Sequence, residues 1–388
     1  MLKQQADSML DRAVEAGDVP GVAAMACTRD ATIYEGAFGS RRLGVNEPMA
    51  IDSVVWIASM TKPITSAGVM QLVEQGRIGL DDAMGRWVPE LASVQVLEGF
   101  DAAGSPRLRA PKRPVTLRHL LTHTSGYGYG MWNEPIARYM EVTGLPATSS
   151  CQNVALRLPL LFDPGERWNY GINIELVGKV IEAVSGRKLG VYLKENLFDP
   201  LGMDSTGFRI TPSMRKRMAR LHERDADGVL TAGDFEVPQE PEFELGGGGL
   251  YSTAADYLAF VRMILNKGAG NGSRVLKAET VELMSRNQMG ELRVLPLRTL
   301  NPLRSNDAEF FPGMPKSWGL GFMINHDRAP TGRSPGSLAW AGLSNCYFWI
   351  DPVAGIGGVY MTQILPFADV KSLPLFLDFE TAVYRSLS

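Results

Sequence analysis

The pattern of hydrophobic and polar positions differs between segments of this chain, and the pattern of the first segment predicts a β-hairpin near the N-terminus. Residues 19–27 form a nearly unbroken apolar run, and residues 32–38 form a second, mixed run. A polar turn at 29–30 lies between them. Two short runs separated by a few polar residues are typical of antiparallel strands joined by a tight turn. We therefore expect the two runs to pair in a sheet.

The middle of the chain has a helical pattern, and strand patterns return towards the C-terminus. Irregular connections rich in Gly and Pro, such as 99–114, separate the predicted helices. A helix is expected over about 253–265, with strands after it. The predicted fold class is α+β: an antiparallel sheet built from both chain ends and flanked by helices, with an inserted, mostly helical lobe. The expected domains are residues 1–65 plus 245–388, which carry the sheet, and residues 66–244, with an active site in the cleft between them.

One predicted helix carries candidate chemistry at its start. Residues 64–73 are apolar nearly all round, which predicts a buried helix that ends at Gly76. Ser59 and Lys62 lie three residues apart just before this run, so they share one helix face. A serine becomes a nucleophile when a neighbouring base takes its proton, and a buried lysine is such a base. Taken alone, however, the pair is better explained by an N-cap serine followed by a solvated lysine.

A second stretch, Trp-Asn-Tyr-Gly-Ile-Asn at 168–173, precedes an amphipathic helix that ends at Gly186. Tyr170 is held at the rigid start of that helix, where a phenol can reach into a cleft. Close to an ammonium group a phenolate is favoured, so such a tyrosine can take or relay a proton. The alternative is a half-buried aromatic side chain that fastens the loop.

A third stretch, Trp-Ala-Gly-Leu-Ser-Asn at 340–345, leads into an apolar run at 346–350 and a turn at 351–352. This pattern predicts a strand and the approach to its neighbour. Small residues within a strand mark a place where another group comes close to the backbone. An ordinary glycine-containing strand is the alternative.

Taken together, in this order and at these separations, the three stretches resemble those of serine hydrolases of the penicillin-recognising fold. The chain is most similar to the family VIII carboxylesterases, the esterase relatives of class C β-lactamases, and the similarity covers nearly its whole length. Further stretches similar to that family lie at 117–126, 197–203 and 246–256. The resemblance implies a β-lactamase/transpeptidase-like fold.

The resemblance also implies catalytic roles. Ser59 would be the nucleophile, and Lys62 and Tyr170 would share the role of general base. The amide N–H groups of Ser59 and Leu343 would form the oxyanion hole. The reaction implied is acyl transfer through an ester formed on Ser59.

Two departures from the family pattern bear on the substrate. The family often has Tyr-Ser-Asn where this chain has Tyr-Gly-Ile, so Asn173, one residue later, is the candidate replacement for the missing amide. One step along a helix changes the direction of a side chain by about 100°. β-Lactamases have Lys-Thr-Gly at the third motif, whereas this chain has Trp340, Ala341 and Gly342. Loss of that lysine favours neutral, apolar acyl groups, so we expect weak or no β-lactam turnover.

The substrate pocket is expected to have aromatic walls. Tyr127 and Tyr129 lie on a long glycine-rich loop and are predicted to be pocket residues that move. Aromatic walls with few polar groups are typical of small-molecule sites. The predicted substrate-binding residues are these two tyrosines together with Trp340, Ala341, Gly342 and Asn173.

Three other patterns look like known motifs but lack what those motifs need. The sequence Gly-Arg-Ser-Pro-Gly around Ser334 resembles a nucleophile elbow, yet a proline follows the serine and no helix is predicted there. His119 and His123 have a zinc-binding spacing without the accompanying glutamate, so a helix end is expected instead. The four glycines at 246–249 lack the Lys-Ser/Thr of a phosphate loop and predict a tight backbone passage under the active site.

Composition and charge limit the kinds of molecule that this protein is expected to bind. The 388-residue chain has 39 basic and 42 acidic residues, and this formal net charge of -3 argues against a nucleic-acid partner. No apolar run approaches the ~20 residues of a membrane span. The N-terminus lacks the apolar core and cleavage site of a signal peptide, so a cytoplasmic location is expected. Three cysteines do not make a disulfide framework.

The expected activity is that of a serine esterase acting on short-chain carboxylic esters through a Ser59 acyl-enzyme. The alternative is an acyltransferase that passes the same acyl group to an alcohol or amine. A β-lactamase, a D-alanyl peptidase and a non-catalytic binding relative are less favoured. No metal and no organic cofactor is implied, and the expected partner is a small-molecule ester. The sequence does not determine the oligomeric state.

Overall fold

The structure, a computed structural model, describes residues 2–387, in which strands and helices follow one another along the whole chain. Its strands are β1 (Gly21–Thr28), β2 (Thr32–Gly39), β3 (Val55–Trp56), β4 (Val96–Phe100), β5 (Pro106–Arg109), β6 (His222–Arg224), β7 (Leu230–Ala232), β8 (Tyr251–Ser252), β9 (Ala269–Gly270), β10 (Ser273–Arg274), β11 (Lys316–Trp318), β12 (Met323–Asn325), β13 (Leu338–Gly342), β14 (Cys346–Asp351), β15 (Ile356–Met361) and β16 (Ile364–Leu365). Its α-helices are α1 (Leu2–Glu15), α2 (Thr61–Glu74), α3 (Pro89–Ala92), α4 (Leu117–Leu121), α5 (Glu134–Thr143), α6 (Asn173–Ser185), α7 (Leu189–Leu193), α8 (Asp199–Leu201), α9 (Pro212–Lys216), α10 (Ala254–Leu265), α11 (Ala278–Met284) and α12 (Ser372–Arg385). Among these residues, no helix combines the length and the apolar character that crossing a bilayer requires.

Strands from both ends of the chain form the main sheet. Its seven strands lie in the order β11-β12-β13-β14-β15-β1-β2. β1 runs antiparallel to both of its neighbours, with Ala23 opposite Ala37 on one side and opposite Met361 on the other. β1 is buried along nearly its whole length. A strand covered on both faces needs apolar residues at every position, which explains the unbroken apolar run in its sequence.

Helices cover both faces of this sheet. Tyr347 of β14 stacks on Phe376 of α12, with ring centroids 4.7 Å apart. The next residue, Phe348, contacts Tyr257 of α10, with ring centroids 5.2 Å apart. Successive side chains of a strand point to opposite faces. The two helices therefore lie on opposite sides, and the core has three layers: helix, sheet, helix.

The helical region is organised around α2. The helix is buried from Thr61 through Leu72, and it packs against α6. α6 ends at Gly186, whose φ of 72° is a left-handed conformation that glycine adopts without strain. Because α2 and α6 pack directly on each other, the residues at their starts are brought close together.

The predicted α+β class and the sheet built from both chain ends are confirmed, and β1 and β2 form the predicted hairpin. The predicted irregular connection 99–114 is partly wrong, because β4 and β5 pair there. Asp101 closes the turn of this second hairpin, since its carboxylate accepts hydrogen bonds of 2.9 Å from the Ala103 and Ser105 amides. Gly99 lies at a register shift and interrupts the alternation that predicts a strand. The domain boundaries near residues 65 and 245 stay a prediction.

Candidate active site

Ser59 lies on a 3₁₀ turn, Ala58–Met60, that leads directly into α2. Ala58 has a φ of 44°, a left-handed conformation that costs a non-glycine residue about 1–3 kcal/mol and is found mainly where the surrounding structure enforces it. Two hydrogen bonds do so here: the Ile57 amide donates to Leu250 O (3.0 Å), and Thr61 Oγ1 donates to Ala58 O (2.7 Å). The sharp turn leaves the Ser59 side chain half-buried at the wall of a cavity.

Lys62 is fully buried, and its amine contacts two hydroxyl groups and one backbone carbonyl. Its Nζ lies 3.3 Å from Ser59 Oγ, 3.1 Å from the Tyr129 hydroxyl and 2.6 Å from Gly247 O. The backbone of the four-glycine segment therefore passes directly beside the lysine, as the sequence predicts. The predicted pairing of serine and lysine is present, and the alternative of a solvated Lys62 is wrong.

Tyr170 lies next to Lys62, but its hydroxyl contacts a different residue. Lys62 Nζ is 4.9 Å from the centroid of the Tyr170 ring, a distance that permits a cation–π contact. The Tyr170 hydroxyl accepts a hydrogen bond of 3.0 Å from Trp340 Nε1. The structure thus brings together the second and third motifs, and Trp340 orients the tyrosine. The proton-transfer role of Tyr170 stays a prediction.

The predicted oxyanion-hole residue Leu343 lies in the turn between β13 and β14. In the part of the chain that the structure describes, its amide donates no backbone hydrogen bond, and Leu343 lines the same cavity as Ser59. The hydroxyl of Ser344 donates to Trp56 O (2.7 Å) and so ties this turn to the segment before Ser59. Gly342 is required at this crossing, because a Cβ there would lie 2.3 Å from Ile57 O.

The cavity next to Ser59 has a volume of about 530 Å³. This size is within the range of pockets that hold a drug-sized ligand. Its walls are mainly apolar and aromatic: Trp56, Tyr129, Met131, Trp132, Met140, Leu158, Ile172, Phe235 and Leu343. The predicted aromatic pocket is therefore present, although several of its walls differ from those expected.

Several predicted substrate-binding residues lie behind the cavity and not in its wall. The Tyr127 side chain is fully buried and away from the cavity. Asn173 is also fully buried, since its side chain contacts His123 Nδ1 (2.9 Å) and accepts from the Ser125 hydroxyl. For these two residues the prediction is wrong, because each side chain is buried in the protein interior and neither lines the cavity. Trp340, Ala341 and Gly342 are buried strand residues that support the site from the side of the sheet.

His123 is a buried histidine that packs behind the site. Its imidazole packs 4.7 Å from the Tyr170 ring and meets the Trp318 ring edge-on at 5.1 Å. Burial, and to a smaller extent the charge of Lys62, hold the pKa of His123 well below its ordinary value. The ring therefore stays neutral and fixes Asn173 and Tyr170 by packing and hydrogen bonding.

Sequence reasoning missed Glu175, a residue that lines the cavity. Glu175 is 2% exposed, and its Oε1 accepts a hydrogen bond of 2.8 Å from the Tyr129 hydroxyl. Burial and this carboxylate raise the pKa of Tyr129 well above its ordinary value, so the phenol stays protonated. The signal was present in the sequence: an acidic residue interrupts the apolar stripe at the start of α6.

Comparison with known proteins agrees with this geometry. The chain matches the family described as Beta-lactamase over residues 6–379. Monacolin J acid methylbutanoyltransferase of Aspergillus terreus is 33% identical over 394 residues, which cover 96% of this chain and 93% of that protein. Lovastatin esterase of Penicillium rubens is 30% identical over 400 residues, covering 98% of each chain. Among solved structures, simvastatin synthase from Aspergillus terreus superposes with a TM-score of 0.86 at 30% identity, covering 99% of this chain and 98% of that one.

The family match spans nearly the whole chain, and the two relatives are similar over more than nine-tenths of its length. The superposition on a solved structure extends over both the sheet and the helical region. The matched range, residues 6–379, contains Ser59, Tyr170 and Trp340. The family expected from the sequence is confirmed: this chain belongs to the beta-lactamase family.

Proposed function

We propose that this protein is a serine esterase that forms an acyl-enzyme on Ser59 and passes the acyl group to water. One observation carries the proposal: Ser59 Oγ lies 3.3 Å from the amine of the buried Lys62, at the wall of an apolar cavity. A nucleophile within reach of a base, next to room for a substrate, is the arrangement that covalent acyl transfer needs.

In the first step, Ser59 Oγ bonds to the carbonyl carbon of the ester while its proton passes to Lys62. The amides of Ser59 and Leu343 would stabilise the oxyanion, and one such donor is typically worth about 10²–10³ in rate. The bond to the alkoxide then breaks, and the alkoxide leaves as an alcohol with that proton. Tyr170 would share the proton transfer, which the nearness of its ring to Lys62 Nζ supports.

In the second step, water attacks the acyl carbon as it gives a proton to Lys62. The bond to Ser59 Oγ breaks, Oγ regains a proton, and the carboxylic acid leaves. The cavity walls favour short, neutral, apolar acyl groups. Trp340 stands where β-lactamases have a lysine, so we propose weak or no turnover of β-lactams.

An acyltransferase is the second candidate function, and two observations favour it. The cavity of about 530 Å³ has room for an acceptor molecule beside a short acyl group. The relatives named above include a methylbutanoyltransferase as well as an esterase. In this case an alcohol would replace water in the second step, and the first step would be unchanged.

The test begins with trapping the acyl-enzyme. The protein is incubated with p-nitrophenyl butyrate, quenched in acid and digested. The mass of the peptide that contains Ser59 is then measured by mass spectrometry. We expect the mass of a butyryl group on that peptide; acylation only at other peptides would contradict the proposal. Adding a primary alcohol and measuring ester against acid product then separates the two functions, because a transferase forms mainly the ester.

Leu158→Ala should shift the acyl preference towards longer chains. Leu158 is 4% exposed and lines both the main cavity and a neighbouring cavity of about 320 Å³. We expect removal of its side chain to open the main cavity towards the smaller one. Each additional methylene that becomes buried contributes about 0.8 kcal/mol, or about four-fold in kcat/KM. The measurement is the ratio of kcat/KM for p-nitrophenyl octanoate over butyrate.

Leu108→Ala is the matched control, because Leu108 lines only the smaller cavity. Its ratio should equal that of the wild type. An unchanged ratio in a folded Leu158→Ala protein would show that Leu158 does not limit the acyl chain. Melting temperatures are compared, since truncating a buried leucine typically costs about 2–5 kcal/mol.

A further inference from the structure

The contacts of Lys62 restrict where its lone pair can point. To act as a base, the amine must be neutral, with two N–H groups and one lone pair. Its Nζ has three neighbours: Gly247 O at 2.6 Å, the Tyr129 hydroxyl at 3.1 Å and Ser59 Oγ at 3.3 Å. A carbonyl oxygen only accepts hydrogen bonds. Gly247 therefore takes one N–H, and the second N–H and the lone pair are divided between Tyr129 and Ser59.

Tyr129 decides this division, and Glu175 fixes Tyr129. The Tyr129 hydroxyl lies 2.8 Å from Glu175 Oε1. A carboxylate only accepts hydrogen bonds, so the phenol proton points at Glu175. The phenol oxygen can then only accept from Lys62 and takes its second N–H. The lone pair is left facing the hydroxyl of Ser59.

We propose that Glu175 is a positioning residue that acts through Tyr129 to aim the lone pair of Lys62 at Ser59. The inference rests on the proposed function, in which Lys62 takes the Ser59 proton. Without the carboxylate, the phenol proton turns towards the Lys62 lone pair and competes with Ser59 for it. The serine then loses its base although every catalytic group is still present.

The burial of Glu175 also points to a role in the reaction. Its Oε2 is buried and has no hydrogen-bond partner within residues 2–387, a situation that costs free energy of folding. The backbone leaves space for this carboxylate, because a Cβ on Gly247 would lie 2.2 Å from Oε2. The same glycine supplies the carbonyl that holds Lys62. One glycine thus both admits Glu175 and holds the lysine that Glu175 orients.

The test is a double-mutant cycle read out on Ser59 itself. The rate of Ser59 modification by a fluorophosphonate probe is measured in the wild type, Tyr129→Phe, Glu175→Leu and the double variant. We expect each single change to slow labelling by about 10–100-fold, because a misplaced base is costly. The double variant should be no slower than the slower single variant, because Glu175 acts through Tyr129 and both changes break the same chain of hydrogen bonds to Lys62. Multiplicative losses, or an unchanged rate in Glu175→Leu, would overturn the proposal.

Glu175→Gln tests whether the role of Glu175 depends on its oxygen as a hydrogen-bond acceptor or on its negative charge. A glutamine oxygen can still accept from the Tyr129 hydroxyl, so labelling should stay within a few-fold of the wild-type rate. A loss as deep as that of Glu175→Leu would overturn the proposed orienting role. Glu244→Leu is the matched control, because this half-buried glutamate accepts from the Gly190 amide outside the cavity. Its labelling rate should equal that of the wild type.

Failure of the proposed function has a different signature in the same experiment. Wild-type protein would then carry no probe on the Ser59 peptide, and both proposals would fall together. If Ser59 is labelled in the wild type and the cycle is multiplicative, only the role of Glu175 fails.

Discussion

Ser59→Ala should lower the hydrolysis of p-nitrophenyl butyrate by about 10³-fold or more, because the variant lacks the atom that carries the acyl group. Ser59 Oγ lies 3.3 Å from Lys62 Nζ in the wall of the cavity. A methyl group can neither give up a proton to that amine nor form an ester. Residual reaction would come from direct attack by water, aided by the Leu343 amide. The measurement is kcat/KM from p-nitrophenolate release at one pH.

Ser66→Ala is the matched control for this prediction. Ser66 lies on the same helix and is fully buried, and its hydroxyl has no hydrogen-bond partner in the part of the chain that the structure describes. Its removal leaves no group unpaired, so turnover and melting temperature should stay close to those of the wild type. If folded Ser59→Ala protein kept turnover within ten-fold of the wild type, the nucleophile would have to be another residue.

Lys62→Met should slow acylation by about 10²–10⁴-fold, the usual contribution of a general base. Methionine has nearly the same length but cannot take the proton of Ser59. The change also leaves Gly247 O without the amine at 2.6 Å, so we expect the free energy of unfolding to fall by about 1–3 kcal/mol. The acylation rate is measured as the burst of p-nitrophenolate in a stopped-flow experiment.

Lys316→Met separates loss of chemistry from loss of stability. Lys316 is also a buried lysine held by carbonyl groups, with Nζ 2.8 Å from Met314 O and 3.2 Å from Phe311 O, but it lies outside the cavity. This variant should lose stability and keep the wild-type burst rate. An unchanged burst in Lys62→Met would place the base elsewhere, with Tyr170 as the next residue to test.

Much of the architecture could be predicted because its signals are local. The apolar run of β1 and the apolar helix after Ser59 each reflect a segment that is buried on all sides. The start of that helix fixes the i, i+3 relation of Ser59 and Lys62, so their contact follows from helix geometry. The hairpin at β4 and β5 was missed since its turn depends on one carboxylate, that of Asp101.

The side-chain partners inside the site could not be predicted in the same way. Tyr127 and Tyr129 are two residues apart on one loop, yet the first is buried and only the second reaches Lys62. Their directions depend on the packing of the loop against α6, which no local pattern encodes. Asn173 was expected in the cavity, but the first turn of α6 directs it towards His123. Glu175 was overlooked because a charged residue on a helix is usually solvated.

The two halves of the site come from distant parts of the chain and are joined by several side chains, among them those of Ser344 and Gln363, which both donate to Trp56 O. Leu343 and Ser59 line the same cavity, and the hydroxyl of Ser344 donates to Trp56 O, three residues before the nucleophile. The sequence shows the Ser59 segment and the 340–345 segment as two separate motifs. It does not indicate how close they lie in the folded protein. The resemblance to the family implies that the two motifs lie close together in space. In the structure they do so because β13 lies beside the 3₁₀ turn that carries Ser59.

The order of strands in the sheet has a consequence during synthesis on the ribosome. β1 ends at Thr28, whereas its neighbour β15 ends only at Met361, so β1 is translated long before β15. At about 5–20 residues per second, roughly 17–70 seconds separate the translation of the two strands. For that interval an almost wholly apolar strand has its edge open to other chains. We therefore expect the nascent protein to be prone to association through this open edge, and a chain cut short before β13 would also lack the Leu343 amide.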